Sequence, residues 1–175
     1  GVIDENPIIG EHSIRGINVL SAAPSVNKDF VFYATSYSSI PVLATPDGNV
    51  SQSGSFSLAV GMMCRFIIRA LSIQTDSGTT SGSYGSTSFK VWTAVSKNIA
   101  GTITTSVSEQ TDFAQNDADV GTRTVNVSSA KGRPGFNPND AFGVAITLTG
   151  TVDTVVAWHL DVSATFVDLS AHTAF

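Results

Sequence analysis

Val156-Ala157-Trp158-His159-Leu160-Asp161-Val162-Ser163-Ala164-Thr165-Phe166 is the stretch that decides the fold of this chain. Val156, Trp158, Leu160, Val162, Ala164 and Phe166 alternate strictly with Ala157, His159, Asp161, Ser163 and Thr165. Successive side chains of a strand point to opposite faces, so this period of two predicts a strand with one face buried and the other solvated. No Pro or Gly interrupts the run from Thr154 to Val167. Met62 to Gln74 reads the same way, with Cys64, Phe66, Ile68 and Ala70 on one face and Arg65, Ile67, Arg69, Leu71 and Ile73 on the other.

The composition extends this reading to the whole chain. Among 175 residues there are only three Glu (Glu5, Glu11, Glu109) and four Lys, against 23 Ser, 19 Thr and 15 Gly. Solvated helix faces need Glu, Lys, Ala, Leu and Arg, which lose little rotamer freedom there. Strands favour Val, Ile, Thr and aromatics, and turns favour Gly, Ser, Asn and Asp. The chain is therefore predicted to be all-β and long enough to bury a core as one domain. Further strands are expected at Phe30–Ala34, Pro41–Ala44, Phe56–Val60, Phe89–Val95, Gly101–Val107, Val120–Val127 and Ala141–Thr149. Asp47-Gly48 is read as a tight type I′ turn, since both central positions of that turn need positive φ. Thr75–Ser88, Ser108–Asp119 and Ser128–Asp140 are read as connections.

About eight to ten strands without a helix-period segment mean a sandwich or barrel. Long strands with long connections favour an antiparallel β-sandwich of jelly-roll type over an immunoglobulin-type sandwich, whose Cys-Trp-Cys hallmark is missing. Residues 1–28 have early Pro and Gly, scattered Ile and no clean period, and are read as an extended arm or attachment segment ahead of a jelly-roll domain at 29–175. The apolar content of the arm, including Ile3, Ile8 and Ile9, suits packing on its own body or on a neighbour. A first strand of the domain is the other reading of this segment.

Chemistry is sparse. The formal net charge of −5 argues against nucleic acid or an anionic membrane surface as partner, both of which attract a basic patch. No stretch approaches the ~18 apolar residues of a membrane-spanning helix. Cys64 is alone within an apolar run and reads as a small buried hydrophobe. His12, His159 and His172 are dispersed, with no zinc-type spacing. Asp112, Asn116, Asp117 and Asp119 followed by Gly121 form a short acidic run, read as a solvated turn rather than a calcium loop because the later ligands are Ser128 and Ser129. No phosphate cradle is present, and no cofactor is expected. His159 and Asp161 point the same way on one strand, which a hydrolase would need beside a Ser; a surface polar stripe is the plainer reading. Tyr84 and Phe136 lie in Gly-rich loops and Trp92 alternates onto a face with Lys90 and Ala94. Exposed rings on a β-sandwich can stack on sugars, so these three are the candidate ligand-binding residues; core or interface packing is the alternative for Trp92 and Phe136.

Three segments together resemble a known class. They are Arg69-Ala70-Leu71-Ser72-Ile73 leading through a Gly/Ser/Thr loop to Phe89-Lys90-Val91-Trp92, then Asn139-Asp140-Ala141-Phe142-Gly143-Val144-Ala145-Ile146, and the final strand Val156–Phe166. Their style and strand order resemble the small jelly-roll domains of tailed-bacteriophage virions, of the head-decoration and fibre type. The resemblance implies a non-enzymatic virion structural protein, a homo-oligomer and often a trimer, attached to a capsid or tail protein. Arg65 and Arg69 then become candidates for intersubunit pairing with Asp161 or Asp153, beside the arm residues Ile3, Ile8 and Ile9. The alternative is a carbohydrate-binding adhesin or tail-fibre tip that meets a host glycan through Tyr84, Trp92 or Phe136.

Overall fold

The computed structural model describes residues 25–48, 55–77, 83–129 and 143–169. Ile3, Ile8, Ile9 and Phe136 lie outside them. Among the described residues the chain forms nine strands: β1 Ser25–Tyr37, β2 Val42–Leu43, β3 Ser55–Ser57, β4 Met62–Gln74, β5 Thr87–Ile99, β6 Thr102–Asn116, β7 Thr124–Ser129, β8 Gly143–Thr149 and β9 Val155–Asp168. All of their pairings are antiparallel. One sheet has the order β1-β9-β4-β5-β6 and is built from long strands. In the other, β8 is flanked by β7 on one side and by the short β2 and β3 on the other. The protein is an all-β antiparallel sandwich.

The nested pairs β1–β9 and β2–β8 follow the order expected of a jelly roll. The middle of the chain departs from it: β4, β5 and β6 run as a meander within one sheet. The β5–β6 connection is only two residues, and both Ala100 (φ 53°) and Gly101 (φ 88°) are left-handed. That is the type I′ geometry whose twist matches the flanking strands. The expected I′ turn at Asp47-Gly48 is different. Gly48 alone has positive φ there, and its N–H donates to the Thr45 carbonyl across Pro46. Proline in the second position pre-sets φ for an ordinary turn, which is the signal that outweighs the Asp-Gly pair.

Three boundaries move. β6 continues to Asn116 and so includes most of the segment read as a polar connection. It is the last strand of its sheet's order, where Ser, Thr, Gln and Glu can face water. β7 begins at Thr124 rather than Val120, because Asp117–Arg123 are used in a polar lock described below. β1 takes in Ser25–Lys28, the last four residues of the expected arm.

The core lies between the sheets. From the long sheet come Phe32, Phe66, Ile68, Trp92, Trp158, Leu160, Val162 and Phe166, and from the short one Phe56, Val125, Val127, Val144, Ile146 and Leu148. Phe56 is fully buried, and its ring meets Phe30 at 5.2 Å, Phe32 at 5.6 Å, Phe66 at 5.1 Å and Phe166 at 6.2 Å. Tilted and edge-on contacts of this kind add to simple area burial. Cys64 is buried as expected, and burial pushes its thiol pKa far up, so it is an inert core group. Two buried donors inside the sandwich are answered: the Trp158 indole N–H donates to Ser36 Oγ at 2.8 Å, and Asn98 Nδ2 to the Leu58 carbonyl at 2.8 Å. Phe56→Ala is expected to lower unfolding free energy by about 3–5 kcal/mol, measured by denaturant titration. A loss under about 1 kcal/mol would mean that this ring does not hold the sheets together.

Candidate functional site

Two surface features stand out, and both follow from the long sheet. The first is its outer face. Because the register is set by the buried face, the outward residues align in rows across β1, β9, β4 and β5. One row reads Thr35–Ala157–Ile73–Thr87, the next Tyr33–His159–Leu71–Phe89, and the third Val31–Asp161–Arg69–Val91. Then come Asp29–Ser163–Ile67–Thr93 and Asn27–Thr165–Arg65–Val95. Val31, Tyr33, Leu71, Ile73 and Val95 are exposed large hydrophobics, and Phe89 and Val91 beside them are half-buried. Monomeric proteins rarely leave so contiguous an apolar surface uncovered.

Arg65 and Arg69 sit on this face as the sequence predicted, sharing it with Ile67, Leu71 and Ile73. Arg65 Nη2 donates to Thr165 Oγ1 at 3.3 Å, and Arg69 Nη1 reaches Ser163 Oγ at 3.5 Å. Asp161 is the direct cross-strand neighbour of Arg69 in the same chain. Asp153, the other candidate partner, lies elsewhere, in the β8–β9 turn, where its N–H donates to Ser38 Oγ. His159 Nε2 lies 3.3 Å from Asp161 Oδ1, and its ring stands edge-on to Tyr33 at 5.2 Å. A shallow depression lined by Asp29, Val31, Arg69, Asp161 and Ser163 marks the middle of the face.

The second feature is the turn carrying Tyr84, which is 76% exposed. Ser83-Tyr84-Gly85 is closed by hydrogen bonds from Ser86 N–H to the Ser83 carbonyl and from Gly85 N–H to the Gln74 carbonyl. Gly85 takes φ 87°, a conformation that glycine adopts without steric cost. Asp119 accepts from Ser83 Oγ at 2.7 Å and from Ser86 Oγ, and Asp117 accepts from the Thr87 N–H at 2.9 Å. The hydroxyl bonds from Ser86 and then Ser83, with Arg123 nearby, hold the Asp119 carboxyl below the usual carboxylate range. The expected solvated acidic turn is thus a lock on the neighbouring loop.

Beneath it lies Arg123, only 1% exposed. Its fork donates to the Ser72 carbonyl at 3.1 Å, Ser72 Oγ at 3.0 Å and the Ser86 carbonyl at 3.1 Å. Burial pulls its pKa down, while Asp119 and Asp117 pull it back up. Lys90 also faces inward, donating to Glu109 at 3.1 Å. Gly121 makes room for the lock: it has φ 64°, and a Cβ there would meet Thr151 Cγ2 at 2.6 Å. Sequence reading missed Arg123. The available signal was a cation placed just after two carboxylates and a glycine, ahead of an apolar strand.

Of the candidate ligand-binding rings, Tyr84 is displayed as expected. Trp92 is not: it is 8% exposed and belongs to the core, because its face of β5 is the inner one, shared with Ala94. Among the described residues no cluster of three or more His, Cys, Asp or Glu groups could hold a metal ion.

No protein-family model matches the chain, and no curated protein matches it. Among solved structures it is similar to the tailspike protein gp49 of Acinetobacter baumannii bacteriophage Fri1, a capsular polysaccharide depolymerase. That likeness has a TM-score of 0.35 and 14% identity, over 84% of this chain and 18% of the tailspike. It is also similar to the tailspike of A. baumannii phage AM24, with a TM-score of 0.34 and 10% identity, over 79% of this chain and 26% of that one. The chain thus spans roughly a fifth to a quarter of the length of these tailspikes.

The lowered Asp119 value fixes the sign of a pH effect. A carboxyl whose folded pKa lies below its unfolded one contributes fully above the unfolded value, and the contribution is lost as pH falls through the folded value. Amide exchange at Ser83–Thr87 is therefore expected to accelerate below about pH 4, relative to the strands. In Asp119→Asn the turn should already exchange fast at neutral pH and lack this acid-induced step.

Proposed function

We propose that this chain is a non-enzymatic structural protein of a bacteriophage virion, a surface subunit of the decoration or fibre type whose copies assemble. The observation that carries the reading is the outer face of the long sheet, where Val31, Tyr33, Leu71 and Ile73 are exposed in adjoining rows. Four strands spaced about 4.8 Å apart and a dozen residues rising about 3.4 Å each present on the order of 800 Å². That equals one partner's share of a standard protein–protein interface. The negative charge and the uncharged Ser/Thr loops suit a surface protein that excludes nucleic acid and stays soluble until assembled.

The assembly reading predicts that the full chain has a solution mass of several subunits by light scattering. Leu71→Asp together with Ile73→Asp should shift it towards the single-chain mass while the β-sheet circular dichroism is retained. An unchanged mass in that variant would remove the face from the argument. Release of reducing ends from a panel of bacterial capsular polysaccharides would overturn the non-enzymatic half.

A second reading, glycan binding, is favoured by one observation: Tyr84 is the most exposed large hydrophobic side chain among the described residues, yet its turn is pinned by Asp119 and Arg123. A ring held rigidly in solvent can stack on a sugar at little entropic cost. Saturable glycan-array binding abolished by Tyr84→Ala supports it, and absence of any binding at high protein concentration disposes of it.

A further inference from the structure

We propose that the occupant of the outer sheet face is a second copy of this chain, docked face to face about a two-fold axis that runs parallel to the strands between β9 and β4. The inference rests on the assembly reading above and adds to it a partner, a symmetry and a register. Its basis is the chemistry of the central row. Read across the sheet, that row is Val31, Asp161, Arg69, Val91. A two-fold in the plane of the interface and parallel to the strands reverses the order of strands while keeping each residue at its own height. The row then meets its own reverse. Asp161 faces Arg69 of the other copy, Arg69 faces Asp161, and the flanking valines face each other.

Few rows would survive this operation. A row with a single charge, or with two of one sign, would place like charges or an unpaired charge in the centre of the interface. The neighbouring row, Tyr33–His159–Leu71–Phe89, survives it as well: Tyr33 meets Phe89, and His159 meets Leu71. Below them come Asp29–Ser163–Ile67–Thr93 and Asn27–Thr165–Arg65–Val95, polar except for Ile67 and Val95. The apolar area thus borders the charge pair above and on both flanks, where it shields a registered ionic contact from solvent. An axis parallel to the strands also keeps the two outer sheets aligned, the common way for sheets to stack. Self-complementarity of one patch is what an isologous dimer requires.

Within one chain, Arg69 Nη1 reaches for Ser163 Oγ at 3.5 Å and His159 Nε2 for Asp161 Oδ1 at 3.3 Å. Both groups keep free lone pairs or N–H donors for a partner across the interface.

The test uses the full chain and reads mass by light scattering across a hundredfold range of concentration, with thermal unfolding as a control for folding. Arg69→Asp and Asp161→Arg should each weaken association at least tenfold, by setting like charges across the axis. The double variant, Arg69→Asp with Asp161→Arg, should recover most of it, because the reversed row is again self-complementary. If each single variant associates as the parent does while Leu71→Asp/Ile73→Asp dissociates, the face assembles but not in this register, and the two-fold is wrong. If the double variant stays dissociated, the two-fold is also wrong. If Leu71→Asp/Ile73→Asp associates normally, or the parent is a single chain throughout, the assembly reading falls and this inference with it. Cross-linking separates a third case. Val31→Cys/Val91→Cys should give covalent dimers with a short bis-maleimide, and Val31→Cys alone should not, since Val31 faces Val91 rather than itself; dimers from the single variant overturn the geometry.

Discussion

The Phe56 ring is the contact on which the rest of this structure depends. It comes from a strand of only three residues, yet it reaches the rings of β1, β4 and β9 at once. A long sheet with one apolar face cannot stand in water alone; it needs a cover. Here the cover is a sheet of short strands, and its grip comes from side chains rather than from ladder length. Phe56, Val144, Ile146 and Leu148 seal the inner face of β1, β9 and β4. Once that face is sealed, strand register is no longer free, since a slip of one residue would turn Phe166, Val162 and Trp158 to solvent.

The outer face follows from the same constraint. Residues between the core positions of β4 and β9 must point outward, whatever they are. Most would be expected to be polar, and Arg65, Arg69, Ser163 and Thr165 are. Leu71, Ile73, Val31 and Tyr33 break that rule, and no packing among the described residues covers them. In the proposed dimer a second copy covers the apolar rows and brings Asp161 of one copy opposite Arg69 of the other. The function proposed for the molecule therefore grows from a surface rather than from a pocket, in keeping with the shallow depressions that the described residues present.

At one end of the sandwich, polar groups do what apolar ones do elsewhere. Arg123 replaces a core side chain and binds the carbonyls of Ser72 and Ser86, the second of which also accepts from the Gln74 N–H. Removing such a cation would take a donor from each of these acceptors in a dry site. The carboxylates of Asp117 and Asp119 close the same end from outside, so the Tyr84 turn is rigid even though its ring is in water. Glycine at position 121 is needed here because the chain passes Thr151 too closely for a side chain.

The sequence by itself determined the strand content, the buried faces of β4 and β9, the inert character of Cys64 and the common face of Arg65 and Arg69. Each of these is a local property, set by side-chain alternation and by which residues can bear a solvated helix face. It could not determine which strands become neighbours, since pairing depends on segments far apart in the chain. The placing of Asp161 beside Arg69, the burial of Trp92 and the extension of β6 through Ser108–Asn116 were therefore decided only by the tertiary structure. Trp92 shows the reason most directly: alternation says that it shares a face with Lys90 and Ala94, but only the second sheet decides that this face is the inside. Arg123 shows it from the other direction, because a charged residue reads as surface until the carbonyls that its fork binds have been brought together.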